Sequence, residues 1–135
     1  MNRVLLIDQD RATSQSITLS CLREGVAVRV AETLCEGVRY LLAAPVSVVL
    51  VDAGLIRLSP AEQARIFDAV APEVPVVVMV KPNAPLEEHV RFEIEGFRVT
   101  PKPVDPLEIL AKLDSVSLPT AARRGAAARV RALCG

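Results

Sequence analysis

Four charged residues follow apolar segments at points where strands would end, and their types suit chemistry on an anion. Asp8 and Asp10 come after the first such segment, Asp52 after the third and Lys102 after the fifth. Carboxylates bind hard divalent cations, and a positioned ammonium neutralises negative charge that develops on a phosphoryl group. An aspartate oxygen supported in this way can attack phosphorus as a nucleophile.

The apolar segments themselves predict a parallel sheet. Residues 4–7 and 74–80 are continuously apolar, and residues 46–51 are apolar apart from Ser47, which is typical of strands covered on both faces. Residues 26–30 and 97–99 alternate between apolar and polar. Alternation marks half-exposed strands, so we expect these two segments at the edges of the sheet.

Helix starts stand between the predicted strands. In a capping box a hydroxyl accepts a hydrogen bond from the third helical N–H, and a glutamate reaches back to the cap. Thr33 with Glu36 and Ser59 with Glu62 have this form. The other predicted starts are Asp105 before Pro106, Asn83 with Pro85, and either Asp10 or Thr13.

Apolar residues recur at helical spacing after these starts, and we expect the faces that they form to pack on the sheet. The clearest examples are Leu34, Val38, Leu41 and Leu42 in one segment and Leu86, Val90 and Ile94 in another. Strands and helices then alternate as (βα)5. Right-handed crossovers with two edge strands predict an α/β, doubly wound, three-layer sandwich in the flavodoxin-like order 2-1-3-4-5.

Length and charge predict one domain with a distinct end. We place the domain at residues 1–118 and a basic, Ala/Arg-rich tail or linker at residues 119–135. Four arginines and no acid follow residue 115, so the first 115 residues carry a net charge of −4. An acidic domain of this kind is a poor binder of nucleic acid, so we expect no direct nucleic-acid contact by it.

The motifs at 5–10, 48–55, 75–80 and 96–103 together resemble those of response-regulator receiver domains of two-component systems, over about residues 2–117. The resemblance implies a signalling module and not an enzyme. It also implies that Asp52 accepts a phosphoryl group, that Asp8 and Asp52 bind Mg²⁺ with Gln9 or Asp10, and that Lys102 contacts the phosphoryl oxygens.

Several residues depart from the usual motifs of that family. Gln9 stands where a second acid is usual, Val80 where a Ser or Thr hydroxyl is usual, and Val99 where an aromatic residue is usual. Ile56 replaces a proline in the loop after the acceptor. A neutral amide binds a divalent cation less strongly than a carboxylate, so we predict that Mg²⁺ is weakly bound or absent.

Two further side chains near the predicted site have less support from the sequence for a functional role. Lys81 follows the fourth strand and is either a second phosphate contact or a loop lysine that faces water. His89 has no clustered ligands, so we interpret it as a surface or partly buried residue.

The resemblance also predicts partners and compartment. A histidine kinase or phosphotransfer protein would supply the phosphoryl group, and a downstream protein would bind the domain. Cys21, Cys35 and Cys134 lack metal-site spacing and are odd in number, as expected in a reducing compartment. No apolar run reaches membrane-spanning length, so we expect a cytoplasmic protein with no membrane contact.

Two alternatives compete with phosphorylation. A pseudo-receiver would keep the fold and bind a partner independently of phosphorylation, and the missing acid, hydroxyl and aromatic residue favour it. An enzyme or flavin carrier on the same fold would need a phosphate-cradling loop after the first strand. Residues 8–11 place carboxylates where that phosphate would lie, which argues strongly against this class.

Overall fold

The computed structural model describes residues 2–55 and 57–115. Strands and helices alternate along the chain. The strands are β1 (Arg3–Ile7), β2 (Ala27–Ala31), β3 (Val48–Asp52), β4 (Val76–Val80) and β5 (Arg98–Pro101). The helices are α1 (Arg11–Arg23), α2 (Leu34–Ala43), α3 (Pro60–Val70), α4 (Leu86–Ile94) and α5 (Pro106–Ser115).

The strands form one parallel sheet in the order β2-β1-β3-β4-β5. The predicted doubly wound (βα)5 fold is therefore confirmed, and β2 and β5 lie at the edges as predicted. The structure begins β3 and β4 two residues later than the apolar runs do. Asp52 is consequently the last residue of β3, in register with Met79 of β4.

The core lies on both faces of the sheet because successive strand residues point to opposite sides. Leu5 and Ile7 pack on one face with residues of α3 and α4, and α2 covers the same face. Val4 and Leu6 pack on the other face with Ile17 of α1 and residues of α5. Strands β1, β3 and β4 are buried on both sides except at Arg3 and Asp52, which explains why the rest of their residues are apolar.

The helix starts follow local sequence closely. The Thr33 and Ser59 hydroxyls each accept from the backbone N–H three residues on, and Asp105 accepts from the N–H of Leu107. Asp10, and not Thr13, caps α1. The expectation for Asn83 is wrong: the N-cap of α4 is Pro85, which makes no side-chain capping bond.

The predicted packing face of α4 is also wrong. Leu86, Val90 and Ile94 are 76%, 42% and 53% exposed. The opposite side of the helix is buried through Phe92, whose ring meets Phe97 edge-on at 5.9 Å between centroids. Burying the large ring of Phe92 removes much apolar surface from water. We infer that this burial, and not that of the aliphatic stripe, sets the rotation of this short helix.

Two sequence expectations lie outside the described residues: the tail at residues 119–135 with the domain boundary at 118, and the role of Ile56. Within the described residues, no helix is both long and apolar enough to cross a membrane.

Candidate functional site

The candidate site lies at the carboxyl edge of the sheet, where β1 and β3 are neighbours but lead into helices on opposite faces. Asp8 directly follows β1, and Ile7 is in register with Val51 of β3. Asp8 and Asp52 therefore end adjacent strands side by side. The Asp8 N–H donates to the Ala31 carbonyl at 3.0 Å, which holds its backbone against β2.

Lys102 reaches this pair from the other side of β4. Its backbone N–H donates to the Val80 carbonyl at 2.9 Å, so the residue after β5 stays paired to the sheet. Its Nζ lies 2.8 Å from Asp8 Oδ2 and 3.1 Å from Asp52 Oδ1. The structure thus brings together three of the four charged residues that the sequence singled out, and the ammonium bridges the two carboxylates.

The electrostatics of this triad hold Lys102 in its charged form. Desolvation of Nζ disfavours the ammonium, but hydrogen bonds and Coulombic attraction from Asp8 and Asp52 outweigh it and raise the pKa of Lys102 above its ordinary value of 10.5. Asp8 is 2% exposed. A carboxylate that is so deeply buried needs a cation or several donors to remain ionised, and Lys102 supplies the cation.

The two residues between Asp8 and α1 differ in their hydrogen bonds and exposure. Gln9 is exposed. The Asp10 carboxylate accepts from the N–H of Ala12 at 3.2 Å and from the Thr13 hydroxyl at 2.6 Å. The hydrogen bond from Thr13, with smaller contributions from the helix backbone, holds the pKa of Asp10 below its usual range. Asp10 is thus occupied as a helix cap, while its own N–H donates to Asp8 Oδ1 at 3.0 Å.

The two carboxylate oxygens of Asp52 have different neighbours. Oδ1 faces the ammonium, while Oδ2 lies beside Gly54, 3.5 Å from the position that a Cβ at residue 54 would take. The side chain of Asp52 is 24% exposed. The carboxylate is therefore partly accessible to a reagent from solvent, and its neighbour Gly54 adds no side chain.

The donor set does not fit a tightly held Mg²⁺ ion. Within residues 2–55 and 57–115, no group of three or more His, Cys, Asp or Glu side chains is arranged to hold a metal. Asp8 and Asp52 share Lys102, and Asp10 is occupied as a cap. Mg²⁺ demands near-octahedral oxygen ligands, and two carboxylates bridged by an ammonium provide few. Weak or absent Mg²⁺ binding remains a prediction.

The residues that depart from the usual receiver motifs, and the two additional side chains near the site, differ in burial. Val80 is 1% exposed and belongs to the hydrophobic core, so this position provides a buried aliphatic side chain and no hydroxyl. Val99 is partly buried on β5. Lys81 is exposed and His89 partly buried. Neither is part of the triad around Asp52.

Sequence reasoning missed one buried polar residue near this edge. Gln63 of α3 is 1% exposed, one helical turn from the buried Phe67. The separation of four residues places both on one face of α3. That spacing was the available signal, and it was overlooked because Gln is usually a surface residue.

Replacing Gln9 by Asp is expected to strengthen Mg²⁺ binding, because a carboxylate replaces a neutral and exposed amide next to Asp8. The measurement is a Mg²⁺ titration that follows nuclear magnetic resonance shifts of residues near Asp52. We expect at least about a tenfold lower Kd, which corresponds to about 1.4 kcal/mol. Gln15→Asp, also exposed but on α1, is the matched control. Equal affinity in the native protein and in Gln9→Asp would show that another oxygen already fills the ligand position.

Receiver domains are among the solved structures that this chain resembles. A CheY-like response regulator receiver domain protein from Methanospirillum hungatei JF-1 has a TM-score of 0.70 and 25% identity, covering 85% of this chain and 92% of its own. The receiver domain of the sensor histidine kinase PA1611 from Pseudomonas aeruginosa PAO1 has a TM-score of 0.68 and 19% identity, with coverages of 84% and 95%. That domain has a magnesium ion coordinated in its active-site cleft.

An orphan response regulator of H. pylori, HP1043, is similar to the same degree, with a TM-score of 0.68, 20% identity and coverages of 84% and 94%. No protein-family model and no curated protein sequence matches the chain. The structural matches nevertheless cover 84% to 93% of this chain. The chain therefore has the receiver fold, and the resemblance that its motifs indicated is confirmed.

Proposed function

We propose that this chain is a receiver domain in which Asp52 accepts a phosphoryl group inefficiently, as a signalling module and not as an enzyme. The observation that carries the proposal is the bridge from the Lys102 ammonium to Asp8 and Asp52, at 2.8 and 3.1 Å. The same triad stands at the switch point of a doubly wound sheet, where such folds place their functional crevice.

The geometry supports a nucleophilic role for Asp52. Its Oδ1 faces Lys102, its Oδ2 lies beside Gly54, and the side chain is 24% exposed. In the transfer, Oδ2 forms the new bond to phosphorus while the bond from phosphorus to the donor breaks. The donor takes away that electron pair, together with a proton where its chemistry requires one. The ammonium, charged at neutral pH, offsets the negative charge that gathers on the phosphoryl oxygens.

The same geometry is the reason that we propose an inefficient phosphoryl transfer to Asp52. Gln9 contributes no charge, Asp10 is occupied at the start of α1, and Val80 contributes no hydroxyl. Electrostatic stabilisation of developing charge is commonly the largest contribution to such transfers, and losing one donor costs about 10²–10³ in rate. We therefore expect transfer on a timescale much slower than that of a receiver with the complete set.

The proposal extends to the domain boundary, partners and compartment. We place the receiver domain at residues 1–118 and the basic tail or linker at 119–135. We place the protein in the cytoplasm, where a histidine kinase or phosphotransfer protein would supply the phosphoryl group and a downstream protein would recognise the domain. The net charge of −4 over the first 115 residues supports a protein partner rather than nucleic acid.

Treatment with acetyl phosphate and Mg²⁺ is expected to add one phosphoryl group at Asp52, to a low fraction and over a long incubation. Intact mass and peptide mapping measure it. Asp52→Asn is expected to remove the modification completely because an amide oxygen is a poor nucleophile, and Asp68→Asn is the matched control on α3. Modification that persists in Asp52→Asn would contradict the assignment of the acceptor.

The second candidate is a pseudo-receiver, a protein-binding module that does not depend on phosphorylation. The specific observation that favours it is Val80, a buried aliphatic side chain in place of a hydroxyl that would respond to the phosphoryl group. Under this proposal Asp52 remains unmodified with acetyl phosphate, even in Gln9→Asp. Slow modification of the native chain that Gln9→Asp accelerates would instead support the first candidate.

A further inference from the structure

An open pocket lies beside Lys102, at the edge of the sheet that carries the triad. It has a volume of about 310 Å³, and most of its surface is apolar. The apolar part of the wall comes from Ala12, Ile17, Pro82, Pro103 and Val104. An apolar cavity of about 150 Å³ is large enough to bind benzene. This pocket therefore has room for an aromatic ring.

The wall of the pocket reaches across the end of β3. Ala12 belongs to α1, which follows β1, and Pro82 lies in the loop after β4. Strands β1 and β4 are the two neighbours of β3 in the sheet, and Asp52 is the last residue of β3. Asp52 does not itself line the pocket, but Lys102 lines it, and the Lys102 Nζ lies 3.1 Å from Asp52 Oδ1. A molecule that contacts the ammonium can therefore occupy the pocket and face Asp52 at once.

The polar side chains of the wall are mostly engaged within the protein. The Lys102 ammonium pairs with the two carboxylates of the triad, so its aliphatic stem is the part that remains to border the pocket. The Asp10 carboxylate accepts from the Ala12 N–H and from the Thr13 hydroxyl. Ser16, which is exposed, is the remaining polar residue of the wall. The pocket thus offers a ligand mainly apolar surface.

The two charged residues of the wall orient an anionic ligand. Asp10 carries a negative charge on the α1 side of the pocket, and Lys102 carries a positive charge on the side of the triad. Like charges repel, so a phosphate group is disfavoured beside Asp10 and favoured beside Lys102. A neutral apolar group suits the pocket itself. The combination fits a molecule with a phosphate at one end and an apolar group at the other.

We infer that the pocket holds the apolar acyl group of a small-molecule phosphodonor of the aromatic acyl phosphate class, while the phosphoryl group of that donor lies against Lys102. The inference rests on the proposed phosphorylation of Asp52 and names the donor that this site prefers. In transfer from benzoyl phosphate, Asp52 Oδ2 forms a bond to phosphorus as the bond from phosphorus to the bridging oxygen breaks. Benzoate leaves with that electron pair and takes no proton.

Reaction of the full chain with benzoyl phosphate and with acetyl phosphate, both in the presence of Mg²⁺, tests the inference. Intact mass over time gives the second-order rate constant of modification for each reagent. We expect the rate constant for benzoyl phosphate to be at least about tenfold larger, because a ring buries much more apolar surface in the pocket than a methyl group does.

Two variants separate the pocket from the intrinsic reactivities of the reagents, which are the same for every variant. Ala12→Leu fills the pocket from an exposed position near the start of α1, so we expect it to remove most of the preference for benzoyl phosphate. Gln15→Leu is also exposed on α1 but lies outside the wall. It is the matched control and is expected to keep the benzoyl-to-acetyl ratio of the native chain.

Benzylphosphonate cannot transfer its phosphoryl group, so it tests binding separately from the reaction. It is expected to shift the methyl resonances of Ala12, Ile17 and Val104, whereas methylphosphonate, which lacks the ring, is expected to leave them in place. Equal benzoyl-to-acetyl ratios in the native chain and in Ala12→Leu, or no benzylphosphonate shifts in the pocket, would overturn the inference, while modification by acetyl phosphate would leave the proposed acceptor intact. Absence of modification by both reagents would overturn the proposed function and this inference with it.

Discussion

Replacing Lys102 by methionine is expected to lower the free energy of unfolding by about 2–3 kcal/mol at pH 7. The substitution keeps the length of the side chain but leaves the carboxylate of Asp8, which is 2% exposed, without its cation. Removing one partner of a fully buried pair costs about 3–5 kcal/mol. We expect less here because Lys102 and Asp52 retain 19% and 24% exposure, which allows water to screen them.

Chemical denaturation of matched variants measures this effect. Lys112→Met removes an exposed lysine that pairs with Glu108 along α5, and should change stability by less than about 0.5 kcal/mol. Adding Asp8→Asn to Lys102→Met should recover most of the loss, since no uncompensated charge then remains buried. If the double variant is no more stable than Lys102→Met, the cost has a source other than the buried carboxylate.

The pH dependence of the Lys102 effect has a defined sign. The folded protein raises the pKa of this lysine above 10.5, its ordinary value. Its stabilising contribution is therefore fully present below about pH 10.4, the value for an unfolded chain, and is lost as the pH rises through the raised pKa. The difference in unfolding free energy between the native chain and Lys102→Met should stay constant from pH 7 to pH 9. It should narrow only as the pH rises above about 10.4 and through the raised pKa of the folded protein.

Replacing Phe67 by alanine is expected to cost about 3–5 kcal/mol of folding free energy. Its ring is 1% exposed and meets the ring of Phe97 edge-on, with 6.2 Å between centroids. Phe97 in turn contacts Phe92, so the three phenylalanines of the chain form one cluster that joins α3, α4 and the residue before β5. The substitution leaves a cavity where this cluster covers the sheet.

Thermal and denaturant unfolding of Phe67→Ala should be compared with Leu86→Ala on α4. Leu86 is 76% exposed, so its loss should cost less than about 0.5 kcal/mol. Phe67→Leu should lie between them because it retains much of the buried volume. A cost for Leu86→Ala that approaches the cost for Phe67→Ala would mean that the stripe on α4 is covered after all.

The main outline of the fold could be predicted because its signals are local. A cap such as Ser59 acts on an N–H three residues away, and a strand buried on both faces has a continuously apolar sequence wherever it lies. The rotation of α4 could not be predicted in this way. Its apolar stripe and Phe92 are both compatible with a helix, and only packing against Phe97 decides which side is buried.

The candidate site, like the fold, was predictable from local sequence only in part. The sequence alone determined which residue types stand at the carboxyl ends of the strands, and the parallel order then required Asp8 and Asp52 to be neighbours. Only the tertiary structure decided that the Lys102 ammonium bridges both carboxylates, that Asp10 is occupied as a cap, and that Gln63 is buried with an unpaired oxygen. The physical reason is range: a strand or a cap depends on residues a few positions apart, whereas Lys102 and Asp8 are 94 positions apart and their distance depends on the whole packed sheet.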